Sequence, residues 1–551
     1  MKSIMKKTPD PLEYLYDIPT DQEQWRDLFF STVKLRGDTF IRQIIQYGYF
    51  AEQFPSCFQA VKFTESIDSL LPLVKTGGAN LLATMPTTLS TYKNDISRRI
   101  LSLPNPKTFL RLASFMKENW DDIQRIATSE NSQSPITCIT SYDFAEQEFL
   151  NSENVRESFR LKSDFIDGIK DCILVSLGYK YRLKLDIANC YNSIYTHSVS
   201  WAVCGKDIAK KYLLTKEPKS AQKIYELADA LDEFMRYQKN NETNGIVVGP
   251  FTSRIFSEII LAAIDHKLSE RGYVFRRYVD DYKFYFRTEA QAQESVPNIE
   301  KILNEFNLNL NIAKTEITRY PFEVIASIKT DFEDVIKTEG VFGVLNTATQ
   351  LFLNGEKGAY KYALKFINNK EPHTDDFSLV IASLLNIMLL DPKLGKYVVA
   401  YLQNHSNTWN KEKLDNIVNR ELNSSLSNEL QEEALLFIQI IKELKLNLTG
   451  ENLIAILKSQ NDFALVIALD IWKNRNKSVV RTRTEAREIT SAINNFSSTL
   501  AGESYHGSRW FLLHELKMHQ LLNDVLMPKP KYDAFFTKLC DCKVTFYNGL
   551  R

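Results

Sequence analysis

The sequence predicts an α+β protein in two parts: residues 1–330, where strands and helices are mixed, and residues 331–551, which are all helical. Three observations carry this expectation. Phe275-Arg276-Arg277-Tyr278-Val279-Asp280-Asp281-Tyr282-Lys283-Phe284-Tyr285-Phe286 is rich in aromatic and β-branched residues, with apolar and polar positions roughly alternating on each side of two aspartates, the pattern of a hairpin turning near Val279-Asp280. Tyr181 to Ile187 alternates cleanly, with Tyr181, Leu183, Leu185 and Ile187 on one face and Arg182, Lys184 and Asp186 on the other. From about residue 330 strand signals fade and amphipathic helices take over. A chain of 551 residues also exceeds what one core ordinarily serves.

Taken in order, residues 1–60 are aromatic-rich and mostly helical in pattern, and Tyr47-Gly48-Tyr49-Phe50 before Phe54-Pro55-Ser56-Cys57-Phe58 reads as a packed helix-to-turn segment. Ile96 to Pro104 is a short strand ending at proline; its Arg98 and Arg99 carry guanidiniums that match phosphate geometry, and equally suit a solvated strand edge. Asp186 ends its strand with the carboxylate off the core face, and Ala188 to Tyr195 turns away into a helix that places Tyr191 five residues further on. Asn244 to Ser253 is a loop opening a helix, with Ser253 as N-cap, an apolar face of Ile255, Phe256, Ile259, Ile260, Ile264 and Leu268, and Gly272 as its end. After the hairpin come a helix from Pro297 to Asn307 and a strand-like alternation, Leu308 to Ile317, with Lys314 at its polar turn.

The remaining segments, including Leu379–Leu390, Tyr397–Leu402, Leu430–Leu444, Leu453–Lys458, Phe463–Trp472 and Trp510–Leu522, have the texture of stacked helix pairs, an α-solenoid or bundle. No strict period runs through them, so HEAT-like is a loose description.

Composition narrows the function. An apolar fraction of 44% and a charged fraction of 25% are those of an ordinary soluble protein. A formal net charge of zero argues against nonspecific coating of nucleic acid and confines any positive channel to one region. The seven cysteines are scattered without zinc spacing and read as structural and reduced. Pro9-Asp10-Pro11 follows the basic start where a signal peptide would have an apolar stretch, and the longest apolar run, near Leu379 to Leu390, is shorter than the ~20 residues that cross a bilayer. The expectation is a cytoplasmic protein without membrane contact.

Two exposed carboxylates in one turn suit hard divalent cations, although an Asp-rich turn is common without any such use. The wider context is more specific. Tyr278-Val279-Asp280-Asp281 within a hydrophobic hairpin resembles the Tyr-x-Asp-Asp signature of reverse transcriptases, which sits on such a hairpin in the polymerase palm. Asp186 at a strand end, the Gly249-Pro250 loop, Asp280-Asp281 and Lys314 follow the order of the palm motifs of that family. The resemblance implies a fingers-and-palm domain followed by an all-helical domain, and nucleotidyl transfer with two Mg²⁺ ions, Mn²⁺ being the alternative occupant. On that resemblance Asp186, Asp280 and Asp281 are catalytic, with Asp186, Asp280 and the Ile187 carbonyl as metal ligands and Asp281 in a supporting place. Tyr191 looks like the steric gate that selects deoxynucleotides, Gly249 and Pro250 the loop that approaches the nucleotide, Arg98 and Arg99 the fingers arginines on its phosphates, and Lys314 the proton donor to pyrophosphate.

A narrower resemblance rests on Asp186 to Trp201, Tyr47-Gly48-Tyr49, the Gly249 loop, Arg276 to Asp281 and the helical second half. Together these are similar to the AbiK-type abortive-infection polymerases of bacteria, the prophage-encoded branch above all. That family implies anti-phage defence in the bacterial cytoplasm, DNA made from deoxynucleoside triphosphates without a template, a single-stranded product covalently attached to the protein, and a homo-oligomer, trimer or hexamer. Val248 stands where many templated enzymes carry Gln before the motif glycine, and no basic thumb helix follows Lys314. A polymerase without a primer strand still needs a hydroxyl, and a tyrosine phenol can supply one; Tyr14 and Tyr16 in the N-terminal tail are the first candidates, Tyr47 and Tyr49 the more packed ones. The rivals are a template-dependent reverse transcriptase of retron or intron type and a HEPN-type ribonuclease, whose Arg-x4-His spacing is met by Arg509 and His514.

Overall fold

A computed structural model describes residues 32–75, 82–140, 163–322, 332–474 and 482–549, apart from positions 36, 38, 52, 95, 135, 137 and 357, and the described residues form eight short strands and a majority of helix. Among the described residues the strands are β1 (Thr32–Lys34), β2 (Thr87–Asn94), β3 (Ser97–Leu103), β4 (Cys138–Thr140), β5 (Tyr181–Asp186), β6 (Phe275–Tyr278), β7 (Asp281–Phe286) and β8 (Glu316–Arg319). They form two two-stranded sheets, β1-β4 and β2-β3, and a four-stranded antiparallel sheet in the order β6-β7-β5-β8.

The central sheet is built where local alternation is strongest. Tyr282 stacks on Phe284 and Phe275 packs tilted against both on its core face, and the Phe251–Glu270 helix buries Ile255, Phe256, Ile259, Ile260 and Ile264 in the same core. The other face is covered too, against expectation. Arg182 is buried, donates from Nη1 to the Phe322 carbonyl at 2.7 Å and lies over the Phe322 ring. Tyr285, which pairs with Arg182 across the ladder, packs with Cys172 and Phe322 in a second small cluster.

Three boundaries differ from the sequence reading. The Phe251–Glu270 helix begins directly after Pro250, which leaves Ser253 buried within its first turn and not at the cap. The next helix runs Glu289–Glu305 and carries Pro297 inside it; its start is set by a capping box between Thr288 and Gln291. Leu308 to Ile317 is not one strand: Ile312–Lys314 is a 3₁₀ turn leading into β8.

Helices occupy the expected places in the second half, among them Phe377–Leu390, Gly395–Asn404, Gln431–Glu443, Gly450–Lys458, Asp462–Asn474 and Trp510–Met518. The expected division at residue 330 falls outside the described residues. On either side of it one continuous apolar core runs from Leu35 to Tyr547. The C-terminal end returns to the N-terminal part: Gln59 N–H donates to the Phe546 carbonyl at 2.9 Å, Asn548 N–H to the Cys57 carbonyl at 2.7 Å, and Phe546 packs on the rings of Tyr49, Phe50 and Phe63. The two parts therefore share a core, because aromatic-rich segments from both ends need burial and find it in each other. No described helix is long and apolar enough to cross a membrane. The six cysteines whose side chains are described are free.

Candidate nucleotidyl-transfer site

Asp186 closes β5 and pairs across the ladder with Asp281, the first residue of β7. Asp280 lies between, in the two-residue turn that joins β6 to β7. The Ile187 N–H donates to the Asp280 carbonyl at 3.4 Å, which ties the strand end to the turn and puts Ile187 beside both carboxylates. Asn311 donates from Nδ2 to Asp186 Oδ2 at 2.8 Å, and the largely exposed Lys314 reaches the same oxygen at 3.1 Å.

The carboxylates repel one another in a setting short of compensating charge. Asp281 is pushed up to about 6, first by loss of water, then by the charge of Asp280 and a hydrogen bond to Asp186. Asp280 is also raised, chiefly by burial and further by Asp186, while Lys314 and Arg99 pull it down. Such excess negative charge is what a bound divalent cation would relieve. Among the described residues no three acidic, thiol or imidazole groups form a closed metal cage. Mg²⁺ does not require one, since it keeps several waters and takes one or two carboxylates, so this donor set fits it.

The turn is held in an unfavourable shape. Val279 has φ of +55°, where a β-branched residue is strained by on the order of 1–3 kcal/mol. Its N–H donates to Ser134 Oγ at 3.1 Å and its carbonyl accepts from Arg277 Nη1 at 2.9 Å. Arg277 is completely buried and is gripped by two acids of the Phe251–Glu270 helix, Glu258 at 2.6 Å and Asp265 at 2.7 Å. The sequence reading missed Arg277, Glu258, Asp265, Ser134 and Asn311. One signal was present: Glu258 and Asp265 are seven residues apart on one helix face otherwise made of apolar residues.

The other expected nucleotide-binding residues lie on segments that meet here. The Ile246 N–H donates to the Tyr191 carbonyl at 2.9 Å and the Gly245 N–H to the Ile194 carbonyl at 2.8 Å, laying the Gly249 loop beside Tyr191. Tyr191 packs against the core, its phenol accepts from Ser257 Oγ at 3.4 Å, and burial pushes it up to about 12. Gly249, at φ of +131°, packs so closely on Ala51 that an added Cβ would come within 3.1 Å of it, and Pro250 caps the helix that follows. The Ser102 N–H of β3 donates to the Val248 carbonyl at 2.8 Å, joining the arginine-bearing hairpin to this loop.

Arg98 and Arg99 part company. As neighbours on β3 they face opposite sides: Arg99 exerts its charge on Asp280, whereas Arg98 forms a bidentate pair with Glu433 at 2.8 and 2.7 Å. Of the two arginines expected to grip a nucleotide, Arg98 is thus held by Glu433. Tyr49 is fully buried and its phenol donates to the Pro104 carbonyl at 2.6 Å. Tyr47 is half-buried, and Tyr14 and Tyr16 lie outside the described residues. The ribonuclease constellation does not assemble. Arg509 is paired with Asp462 at 2.7 Å, and His514 is fully buried with Nε2 against the Val544 carbonyl at 2.8 Å, where no substrate reaches it.

Comparison with known proteins bears on the same segment. No curated protein matches the chain. Solved structures that resemble it include apo telomerase from Candida tropicalis, at 12% identity and TM-score 0.28 over 82% of this chain and 78% of that one. Telomerase from Candida albicans in complex with a fragment of telomeric RNA matches at 14% identity and TM-score 0.25, over 78% of this chain and 70% of that one. A C-terminally truncated Candida tropicalis telomerase matches at 15% identity and TM-score 0.26 over 45% of this chain, which spans 52% of that one. The model of the reverse transcriptase (RNA-dependent DNA polymerase) family matches residues 135–339, the stretch that holds Asp186, Tyr191, Gly249, Asp280, Asp281 and Lys314. These residues form a reverse-transcriptase-like polymerase domain.

Proposed function

We propose that the protein is a DNA polymerase that adds deoxynucleotides without a template, starting from a hydroxyl of its own chain, and that it serves an abortive-infection defence against phage. The observation that carries the polymerase reading is the meeting of Asp186, Asp280 and Asp281 at one strand end and one turn, within a reverse-transcriptase-like domain. Divalent cations bound there would activate the attacking hydroxyl and neutralise the departing pyrophosphate. Asp186 and Asp280 are the residues to hold them, with the Ile187 carbonyl and Asp281 in support. Arg99 meets the phosphates, Lys314 gives a proton to pyrophosphate, and the Tyr191 ring lies under the sugar and excludes a 2′-hydroxyl. Gly249 and Pro250 shape the backbone against the nucleotide.

Template independence is supported by two features: Val248 in place of a template-contacting Gln, and the second half of the chain packed directly on the β2-β3 hairpin. Tyr14 and Tyr16 are the priming candidates to test first, then Tyr47. A homo-oligomer, trimer or hexamer, would cover apolar side chains such as Leu177, Leu213 and Leu214, which are 86%, 60% and 83% exposed. The test is to incubate the pure protein with labelled dNTP and Mg²⁺, denature it, digest exhaustively with nuclease and sequence the labelled peptide. Label left on a tyrosine supports self-priming, and loss of all label on denaturation contradicts it. Synthesis only on an added template would assign the protein to the template-dependent reverse transcriptases.

A further inference from the structure

The β2-β3 hairpin that carries Arg99 is gripped by three consecutive side chains from the opposite half of the chain. Gln431, Glu432 and Glu433 open the Gln431–Glu443 helix. Gln431 Oε1 accepts from the Ser90 N–H at 2.8 Å, and Glu432 Oε2 from the Tyr92 N–H at 2.5 Å. Both amides belong to β2, which among the described residues pairs with β3 alone, so the two side chains cap an edge strand. Glu433 takes Arg98 in two parallel bonds, and Arg98 in turn donates from Nε to Ser90 Oγ at 3.0 Å and from Nη2 to the Ser90 carbonyl at 3.1 Å. The Glu433 side chain is only 6% exposed. A buried bidentate pair fixes orientation as well as distance. The base of the hairpin is secured separately, by Thr87 Oγ1 donating to the Ser508 carbonyl at 2.6 Å and by the Ser102–Val248 bond. The grip at Arg98 therefore governs the outer part of the hairpin, where Arg99 sits on the reverse face.

We infer that Gln431, Glu432 and Glu433 are positioning residues that set the pose of the β2-β3 hairpin carrying Arg99, and so fix how tightly the triphosphate of an incoming nucleotide is held. This rests on the nucleotide-binding reading above. None of the three touches the nucleotide; they act through Arg98 and the β2 edge. The helical half would then be a determinant of nucleotide affinity and not only a packing partner.

The experiment uses the full chain and measures binding of dATP by calorimetry in Ca²⁺, with melting temperature recorded for each variant. E433R should raise Kd about tenfold, R98E likewise, and the R98E/E433R exchange should restore Kd to near the wild-type value because the ion pair is rebuilt with its partners swapped. E433Q, which preserves shape, serves if E433R does not fold, and should weaken binding in the same direction. In steady-state assays KM for dNTP should rise with kcat little changed, a split that general loss of stability does not produce. The inference is overturned if E433R and E433Q bind dATP as the wild type does, or if the exchange fails to rescue a folded protein. If Arg99→Ala weakens binding while E433R does not, the clamp alone is wrong. If the wild type binds no dATP, the nucleotide reading fails and takes the clamp with it.

Discussion

Asp186 stands directly opposite Asp281 in the β5-β7 ladder, so the end of one strand and the start of another deliver carboxylates to the same spot, with Asp280 in the intervening turn. Nothing in the sequence separation of the two makes this inevitable. It follows from the antiparallel register, which the alternation of Tyr181–Ile187 and of the β6-β7 hairpin imposes once one face of each must be buried.

Removing one of these carboxylates should abolish nucleotide incorporation, by several orders of magnitude in rate, while leaving the protein folded. Asp186→Ala is the variant to assay beside its circular dichroism and melting curve. Because the carboxylates repel one another, the variant should melt no lower than the wild type in the absence of divalent cations. Incorporation at the wild-type rate by folded Asp186→Ala would remove that residue from the site.

The raised Asp281 carboxyl gives a pH signature. Its folded value of about 6 lies above the ordinary 3.8, so the folded state binds the proton more tightly than the unfolded chain does. The stability contributed by protonated Asp281 is fully present below about pH 4 and is lost as pH rises through about 6. Mg²⁺ competes with that proton. Its addition should therefore raise the melting temperature more at pH 7.5 than at pH 5, and Asp281→Asn should flatten the difference. Equal shifts at both pH values would contradict metal binding beside this carboxyl.

Arg277 should prove the most sensitive residue around the turn. Arg277→Met leaves Glu258 and Asp265 buried without their partner, which typically costs about 3–5 kcal/mol, and frees the strained Val279 turn from one of its two ties. Arg277→Lys keeps the charge and loses the fork, so chemical denaturation should show a smaller loss than for Arg277→Met. Both variants should lose activity beyond what their stability at the assay temperature explains.

Tyr191→Ala should admit ribonucleotides. The ratio of dNTP to NTP incorporation reads this directly, and an unchanged ratio would make Tyr191 a core residue held by Ser257.

Much of this site was legible because its signals are local. The β6-β7 hairpin, β5 and the helix after Pro250 each follow from side-chain alternation or period within a dozen residues. What stayed hidden depends on distant partners. Arg98 and Arg99 look equivalent in the sequence, and only the helix bearing Glu433, 335 residues from Arg98, distinguishes them. Arg277 looked like a strand residue because its acids sit in the preceding helix. Ser253 and Pro297 misled as helix starts since capping by Thr288 and the extended Pro250 at the N-cap position set those ends. No local signal reports that Phe546 and Tyr547 pack on Tyr49 and Phe58.

The central claim is that these palm carboxylates drive DNA synthesis without a template. It is tested most directly by incubating wild type and Asp280→Ala with labelled dNTPs and Mg²⁺, free of any nucleic acid, and measuring label in polymer. The account predicts incorporation by the wild type and none by folded Asp280→Ala. Equal incorporation by both proteins, or none by the wild type until a template is added, would contradict it.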